Sequence, residues 1–351
     1  MNKSDRLAGL DILRSLAIFL VMITHMFNYT GILSMDIHSF NWAISDVLHY
    51  ISMICVPLFL LLTGYLQSKR EFNIKHYSSI IPILVSYFGI SAINAVLTVK
   101  FFGTPSFADG DGIRYMLLHI FDFSFGYAWY VEMYISLFML IPFLNILFNS
   151  LDKNIQKWLI LILAITTMLP ALGRSFKIFD TYFTVFPDFL ENMYVITYYY
   201  IGAYIANHKP KPSRALCGGV AVMVLIFESV CCWFYTNPDY AWWMFNSNAT
   251  LSHAVVATCV FLVLYNVDIK TRPIKFMFKE ISLCSFEMYL ISYFTDRYLF
   301  SRLNIPIWQI VCIDFASAYI IAKISRIVLI PIGSCIKTFV IKTANKISKT
   351  S

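Results

Sequence analysis

Ten apolar stretches, each near the roughly 20 residues that a helix needs to cross a bilayer, recur along this chain of 351 residues. They fall at 9–29, 45–66, 79–100, 127–148, 155–173, 189–207, 215–235, 250–267, 281–300 and 307–331. All are too long for membrane strands of about 9 to 11 residues, and a backbone in lipid must satisfy its own hydrogen bonds, so helix is expected throughout. The fifth is the weakest, because its apolar core from Trp158 to Leu172 is short and meets Pro170. Composition agrees: 59% of residues are hydrophobic and 13% charged, against about 25% charged in soluble domains. No single soluble core absorbs that excess. It excludes a soluble enzyme, a disordered chain and a secreted disulfide scaffold, and it predicts an all-α integral membrane protein, a bundle of about ten transmembrane helices.

The placement of cations sets an expected orientation. With the N-terminus inside, the inner segments hold eighteen Lys and Arg, while the outer ones hold five: Lys100, Arg114, Arg174, Lys177 and Arg302. That bias follows the positive-inside rule and places both termini in the cytoplasm. It also accounts for the net charge of +7 without nucleic acid as a partner, since the cations sit in short loops between apolar runs. The partner is the bilayer. The expected organisation is one transmembrane domain over 1–335 and a basic cytoplasmic tail over 336–351. The polar start, Met1 to Gly9, leads into the first apolar stretch with no small-residue cleavage pattern after it, so that stretch is expected to stay as a span.

The eight cysteines lie in or at the ends of apolar segments without C-x-x-C or zinc spacing, and are read as reduced, buried thiols; no metal site is expected. The longest outer connections, 101–126 and 174–188, are rich in aromatics and Asp. They suit either an interfacial aromatic belt or a roof over an outward-facing site. Within the first of them, 113–125 reads as an amphipathic piece on the outer surface.

Ionisable groups inside spans are costly, about 2.5–3.5 kcal/mol at mid-helix, and so each is a functional candidate. The first span carries Asp11, Arg14 and His25. At 100° per residue, the 11 steps from Arg14 to His25 make three turns plus about 20°, and Asp11 precedes Arg14 by three, so the three share one face. His25 lies about 16 Å further along the axis than Arg14. Read singly, Asp11 and Arg14 are an interfacial pair at a helix start and His25 a satisfied histidine near the outer headgroups; read together they form one stripe linking the two sides. Further charges within spans are Glu132, Glu228, Glu287, Asp296, Arg297, Asp314, Lys323 and Arg326. Lys323 and Arg326 stand near an inner helix end, where long cations snorkel to the headgroups. Asp296 and Arg297 suit a local pair.

Several motifs carry a family likeness. The stretch RLAGLDILRSLAIFLVMITHMF, with ten residues between Arg14 and His25, resembles the first helix of the membrane-bound acyltransferase-3 family, which includes bacterial O-acetyltransferases of surface polysaccharides. VPLFLLLTGYL at 56–66 is similar to that family's second helix, with Thr63, Gly64 and Tyr65 at its S-G-Y-type end. AWYVEMYISLFMLIP at 128–142, TYYYIGAYIA at 197–206 and SLCSFEMYLIS at 282–292 resemble later family motifs in the same order. Two departures stand out: the last motif ends in Ser292 where the family has His, and the family's paired arginines after the second helix appear here only as scattered Lys69, Arg70 and Lys75.

The resemblance implies a bacterial plasma-membrane acyltransferase that moves an acyl group, acetyl above all, from cytoplasmic acyl-CoA to a hydroxyl of a cell-surface glycan or lipid-linked sugar. No bound cofactor is implied, since acetyl-CoA is the donor substrate. It makes His25 the general base or a transient acyl carrier, assigns Arg14 with Lys69, Arg70 and Lys75 to the anionic donor, and leaves Asp11 to orient Arg14. Trp129, Glu132 and Tyr289 are candidates for the acceptor side. The competing expectation is a secondary transporter or exporter, for which ten helices with Glu132, Glu287 and Asp314 in their spans would be natural. A non-catalytic membrane sensor comes third.

Overall fold

The computed structural model describes residues 7–29, 35–103, 111–121, 128–178, 181–182, 187–235 and 245–350. In chain order the helices are α1 (Ala8–Tyr29), α2 (Phe40–Met53), α3 (Cys55–Gln67), α4 (Ile74–Tyr77), α5 (Ile81–Phe102), α6 (Asp111–Phe121) and α7 (Trp129–Ser150). They are followed by α8 (Lys153–Arg174), α9 (Tyr194–His208), α10 (Arg214–Tyr235), α11 (Leu251–Leu264), α12 (Arg272–Arg302) and α13 (Ile307–Thr350). Extended structure among the described residues is one antiparallel ladder, β1 (Lys177–Ile178) with β2 (Thr181–Tyr182), in which Lys177 faces Tyr182.

Helices stand at all ten expected places, and seven of the segments are long and apolar enough to cross a membrane, with Phe40–Gln67 counted as one. The protein is accordingly an all-helical, multi-pass membrane protein. The three places that fall short do so for different reasons. α9 and α11 have 15 and 14 residues, below the length of a full crossing. α12 is long enough at 31 residues but carries charge along its whole length, from Arg272 to Arg302. Its helical register begins nine residues before the apolar run at 281, through a polar stretch that hydropathy alone does not mark.

Prolines shape several spans. The second span divides between α2 and α3 at Ile54 because Pro57 has no N–H to give the carbonyl of Met53, and the ladder restarts at Leu58 N–H to Ile54 O, 2.9 Å. Pro142, Pro170 and Pro331 are carried inside α7, α8 and α13, so Pro170 does not end the fifth span, which runs on to Arg174. Where polar caps are available they are used: the Asp152 carboxylate accepts from the N–H groups of Asn154 and Ile155 at 2.8 and 3.0 Å, and the Ser39 hydroxyl accepts from Trp42 N–H at 3.1 Å.

The chain forms two compact units: Met1–Lys69 with Leu147–Ser282, and Arg70–Ile146 with Leu283–Ser351. In the first, α3 and α9 touch backbone to backbone. A Cβ on Gly64 would lie 2.0 Å from the Tyr199 carbonyl oxygen, and one on Gly202 would lie 2.2 Å from that of Leu61. Small residues at a membrane helix crossing allow this approach, because lipid supplies no hydrophobic push and packing must hold the helices. In the second unit α13 crosses the start of α5, where a Cβ on Gly333 would meet the Cα of Pro82 at 2.7 Å.

Candidate functional site

Helix α1 presents a mixed face. Asp11 is buried, and Arg14 and His25 are each half-buried. The flanking positions Leu13, Ala17 and Ile18 are fully buried. The guanidinium of Arg14 donates through Nη1 to the Ser282 hydroxyl at 3.2 Å, and the neighbouring Ser15 hydroxyl donates to the Phe278 carbonyl at 3.1 Å. Two polar bonds within one turn thus tie α1 to the first part of α12. Toward the other end of α1, the Thr24 hydroxyl donates to the Leu20 carbonyl at 3.0 Å and stands 3.9 Å from Cys55 Sγ. These contacts fix the register of the turn that carries His25.

The segment from Ser68 to Lys75 exposes Lys69, Arg70 and Lys75 together with Glu71. Its backbone is held even though its cations are not covered. In the first unit Asn149 Nδ2 donates to the Ser68 carbonyl at 3.0 Å; in the second Asn145 Nδ2 donates to the Arg70 carbonyl at 2.8 Å. His76, buried just after Lys75, stacks on Phe138 with centroids 4.2 Å apart, and its Nε2 lies 3.0 Å from the Phe138 carbonyl oxygen. A segment with a fixed main chain and exposed cations suits a polyanion better than a floppy one would, because less conformational entropy is lost on binding. Nothing in the sequence pattern marked Asn145, Asn149 or His76.

In the second unit Trp129 and Glu132 lie exposed in the first turn of α7, three residues apart and so on one face. Tyr289 of α12 is buried and meets Tyr130 edge to face, centroids 5.7 Å apart. Of the three acceptor candidates, the first two therefore share a surface and the third packs beside their neighbour. Ser292, at the family's histidine position, is fully buried and donates to the Tyr289 carbonyl at 2.9 Å, a packing role. Arg326 is not left to snorkel: its Nη1 binds both oxygens of the buried Glu287 at 2.8 and 2.7 Å, and the Ser86 hydroxyl donates to the same carboxylate at 3.1 Å. Asp296 hydrogen-bonds to Asp314 of α13, both buried.

The family model for the Acyl_transf_3 acyltransferase domain matches residues 7–334. The chain belongs to the acyltransferase-3 family. The match takes in every helix up to and including most of α13, and it makes the protein a membrane acyltransferase, which does not favour the transporter reading. No curated protein and no solved structure matches the chain.

The acyltransferase also holds a polar cluster of which only Glu228 stood out in sequence. In its first unit, Glu228 of α10 and His253 of α11 are both fully buried, with His253 Nε2 3.3 Å from Glu228 Oε1. The other imidazole nitrogen, Nδ1, lies 3.1 Å from the Ser247 carbonyl oxygen and so carries the proton of that bond. Asp46 of α2 is buried, with the side chains of Cys232 and Tyr50 beside its carboxylate. His49 lies edge-on to Phe27 at the end of α1, centroids 5.2 Å apart. The cluster is therefore at the end of the first unit where His25 stands. Asp46 and His49 escaped notice because they sit in the first turns of a span, where charge reads as boundary. None of the eight cysteines is in a disulfide; Cys55, Cys217, Cys232 and Cys284 are buried as expected, while Cys231 and Cys259 are half-buried and Cys312 and Cys335 are exposed on α13.

Proposed function

We propose that this acyltransferase moves an acyl group, acetyl by preference, from cytoplasmic acyl-CoA to a hydroxyl of a cell-surface or exported glycan at a bacterial plasma membrane. The observation that carries the reading is the stripe of α1: a half-buried Arg14 anchored on Ser282 and a half-buried His25 on the same helix face, in a chain of this family. The two tasks of the reaction separate along that stripe. A cation suits the phosphates of the donor, as Arg binds phosphate bidentately, and a neutral imidazole suits proton removal at working pH.

In this reading the acceptor hydroxyl gives its proton to an unprotonated imidazole nitrogen of His25 while its oxygen attacks the thioester carbonyl. The C–S bond then breaks, the C–O ester bond is made, and His25 returns the proton to the leaving CoA thiolate. No proton is gained or lost overall. Arg14 and Lys69 contribute charge toward the donor's phosphates, and Arg70 and Lys75 follow in the same basic segment. Asp11 keeps Arg14 oriented and takes no chemical step. Trp129, Glu132 and Tyr289 are the proposed sugar contacts, with aromatic faces for the ring and a carboxylate for hydroxyls.

The test is the acetyl content of surface glycans in a strain lacking the gene, measured by NMR and complemented with the wild type or with His25→Ala. Loss of acetyl esters that only the wild type restores supports the reading. Unchanged glycans in the deletion strain overturn the glycan acceptor, and full rescue by an inserted His25→Ala protein overturns the base.

A further inference from the structure

Helix α13 is too long for its surroundings. Its 44 residues extend about 66 Å at 1.5 Å per residue, against a hydrocarbon core of about 30 Å. Fitting it inside that core would take a tilt of about 63°, well beyond the roughly 0–40° found for membrane helices, and even at 40° it would cover about 50 Å of depth. A large part of α13 must therefore lie outside the core.

Charge and packing identify which part. Up to Pro331 the charged residues of the helix are Asp314, Lys323 and Arg326; Asp314 bonds Asp296 and Arg326 pairs with Glu287. Gly333 is the last close backbone approach, against Pro82. Beyond it the sequence carries Lys337, Lys342, Lys346 and Lys349, and there is no Asp or Glu anywhere after Asp314. The side chains of this part are sorted by face. Ile336, Phe339, Thr343 and Ile347 follow helical spacing along one stripe, and Phe339 and Ile347 are 69% and 64% exposed. Lys342 and Lys346, four residues apart and exposed, run along the edge of that stripe.

We infer that the part of α13 after Pro331 is an interfacial helix that binds the anionic phospholipid headgroups of the membrane the protein spans. An apolar stripe edged by lysines, in a stretch whose sequence holds no Asp or Glu, fits a surface that offers acyl chains below and phosphates above. Projection into water would leave Phe339, Ile336 and Ile347 uncovered. Pro331 lies inside the helix, and because its ring removes one backbone hydrogen bond it is the place where the helix bends most cheaply. The inference gives the basic cytoplasmic tail expected over 336–351 a ligand.

The experiment is hydrogen–deuterium exchange of residues 335–347 in the full chain, in nanodiscs of phosphatidylcholine alone and with added phosphatidylglycerol. Exchange about tenfold slower with the anionic lipid is expected, with the difference abolished by about 0.5 M salt or by the combined variant Lys337→Gln, Lys342→Gln and Lys346→Gln. Exchange in α5 checks that the variant is folded, and the salt arm decides the matter with the unmodified protein if it is not. Equal exchange in the two lipids overturns the inference. So does protection that appears in neutral discs only on adding coenzyme A, which would give these lysines to the donor instead.

Discussion

Arg326 of α13 grips Glu287 of α12 through a single nitrogen that reaches both carboxylate oxygens, at 2.8 and 2.7 Å. The carboxylate is 2% exposed and the guanidinium side chain 24%, so neither can be stranded cheaply. Removing one partner of such a pair costs about 3–5 kcal/mol, whereas replacing both with apolar residues of similar size is close to neutral. Arg326→Met is thus expected to lower the thermal unfolding midpoint in detergent sharply, and Arg326→Met with Glu287→Leu to recover most of it. A double variant as unstable as the single one would show that the pair does something other than neutralise itself.

The α1 stripe gives a kinetic prediction. His25→Ala is expected to lower kcat by about 10²–10⁴-fold, the usual contribution of a general base, with donor affinity little changed. Arg14→Ala is expected to raise the KM for acyl-CoA. Its bond to Ser282 adds a control: Ser282→Ala should produce a smaller rise in the same parameter. Arg14→Ala with unchanged donor affinity would make Arg14 a structural tie between α1 and α12.

Close approach of α3 and α9 leaves no room at Gly202. Its Cβ would fall 2.2 Å from the Leu61 carbonyl oxygen and 2.9 Å from Tyr65 N, both backbone atoms that cannot rotate away. Gly202→Ala is expected to destabilise the first unit by at least the roughly 1–3 kcal/mol of an overpacked core. Gly218→Ala, where nothing lies within 4 Å, is expected to be neutral or slightly stabilising through helix propensity. Comparing the two unfolding midpoints checks the packing rather than the residue type.

Much of this architecture is legible in the apolar runs, because a helix that must cross lipid leaves a long, low-charge segment whatever its neighbours do. Positions 9–29 and 215–235 match α1 and α10 to within a residue for that reason. Where packing partners relieve the requirement, the pattern fades. Glu287 is carried in α12 by Arg326 from another helix, and the first turns of α12, 272–280, lie outside the apolar run at 281–300. The Arg14 and His25 stripe could be read from spacing alone, since both lie on one helix. The Glu228–His253 pair could not, because it joins helices separated in sequence, and only folding brings an acid of α10 within 3.3 Å of an imidazole of α11.

His119 yields a prediction in pH. It is 2% exposed on α6, outside the spans, stacked on Tyr115 with centroids 5.4 Å apart and tilted against Tyr293 at 5.2 Å. Burial disfavours its charged form and brings its pKa down from 6.5 to about 4. Between those values the unfolded segment binds a proton that the folded one does not, so local stability rises with pH across that window and is flat above it. The difference amounts to roughly 3 kcal/mol by pH 4, at about 1.4 kcal/mol per unit. Acidification from pH 7 to pH 5 is therefore expected to speed amide exchange in 111–121 well beyond the intrinsic pH effect, and His119→Phe to remove the excess while keeping the ring contacts. An excess that survives in His119→Phe would point to another titrating group. The NMR signal of the His119 imidazole is the direct check: it should remain that of a neutral ring until close to pH 4, and a midpoint near 6.5 would show that water reaches it.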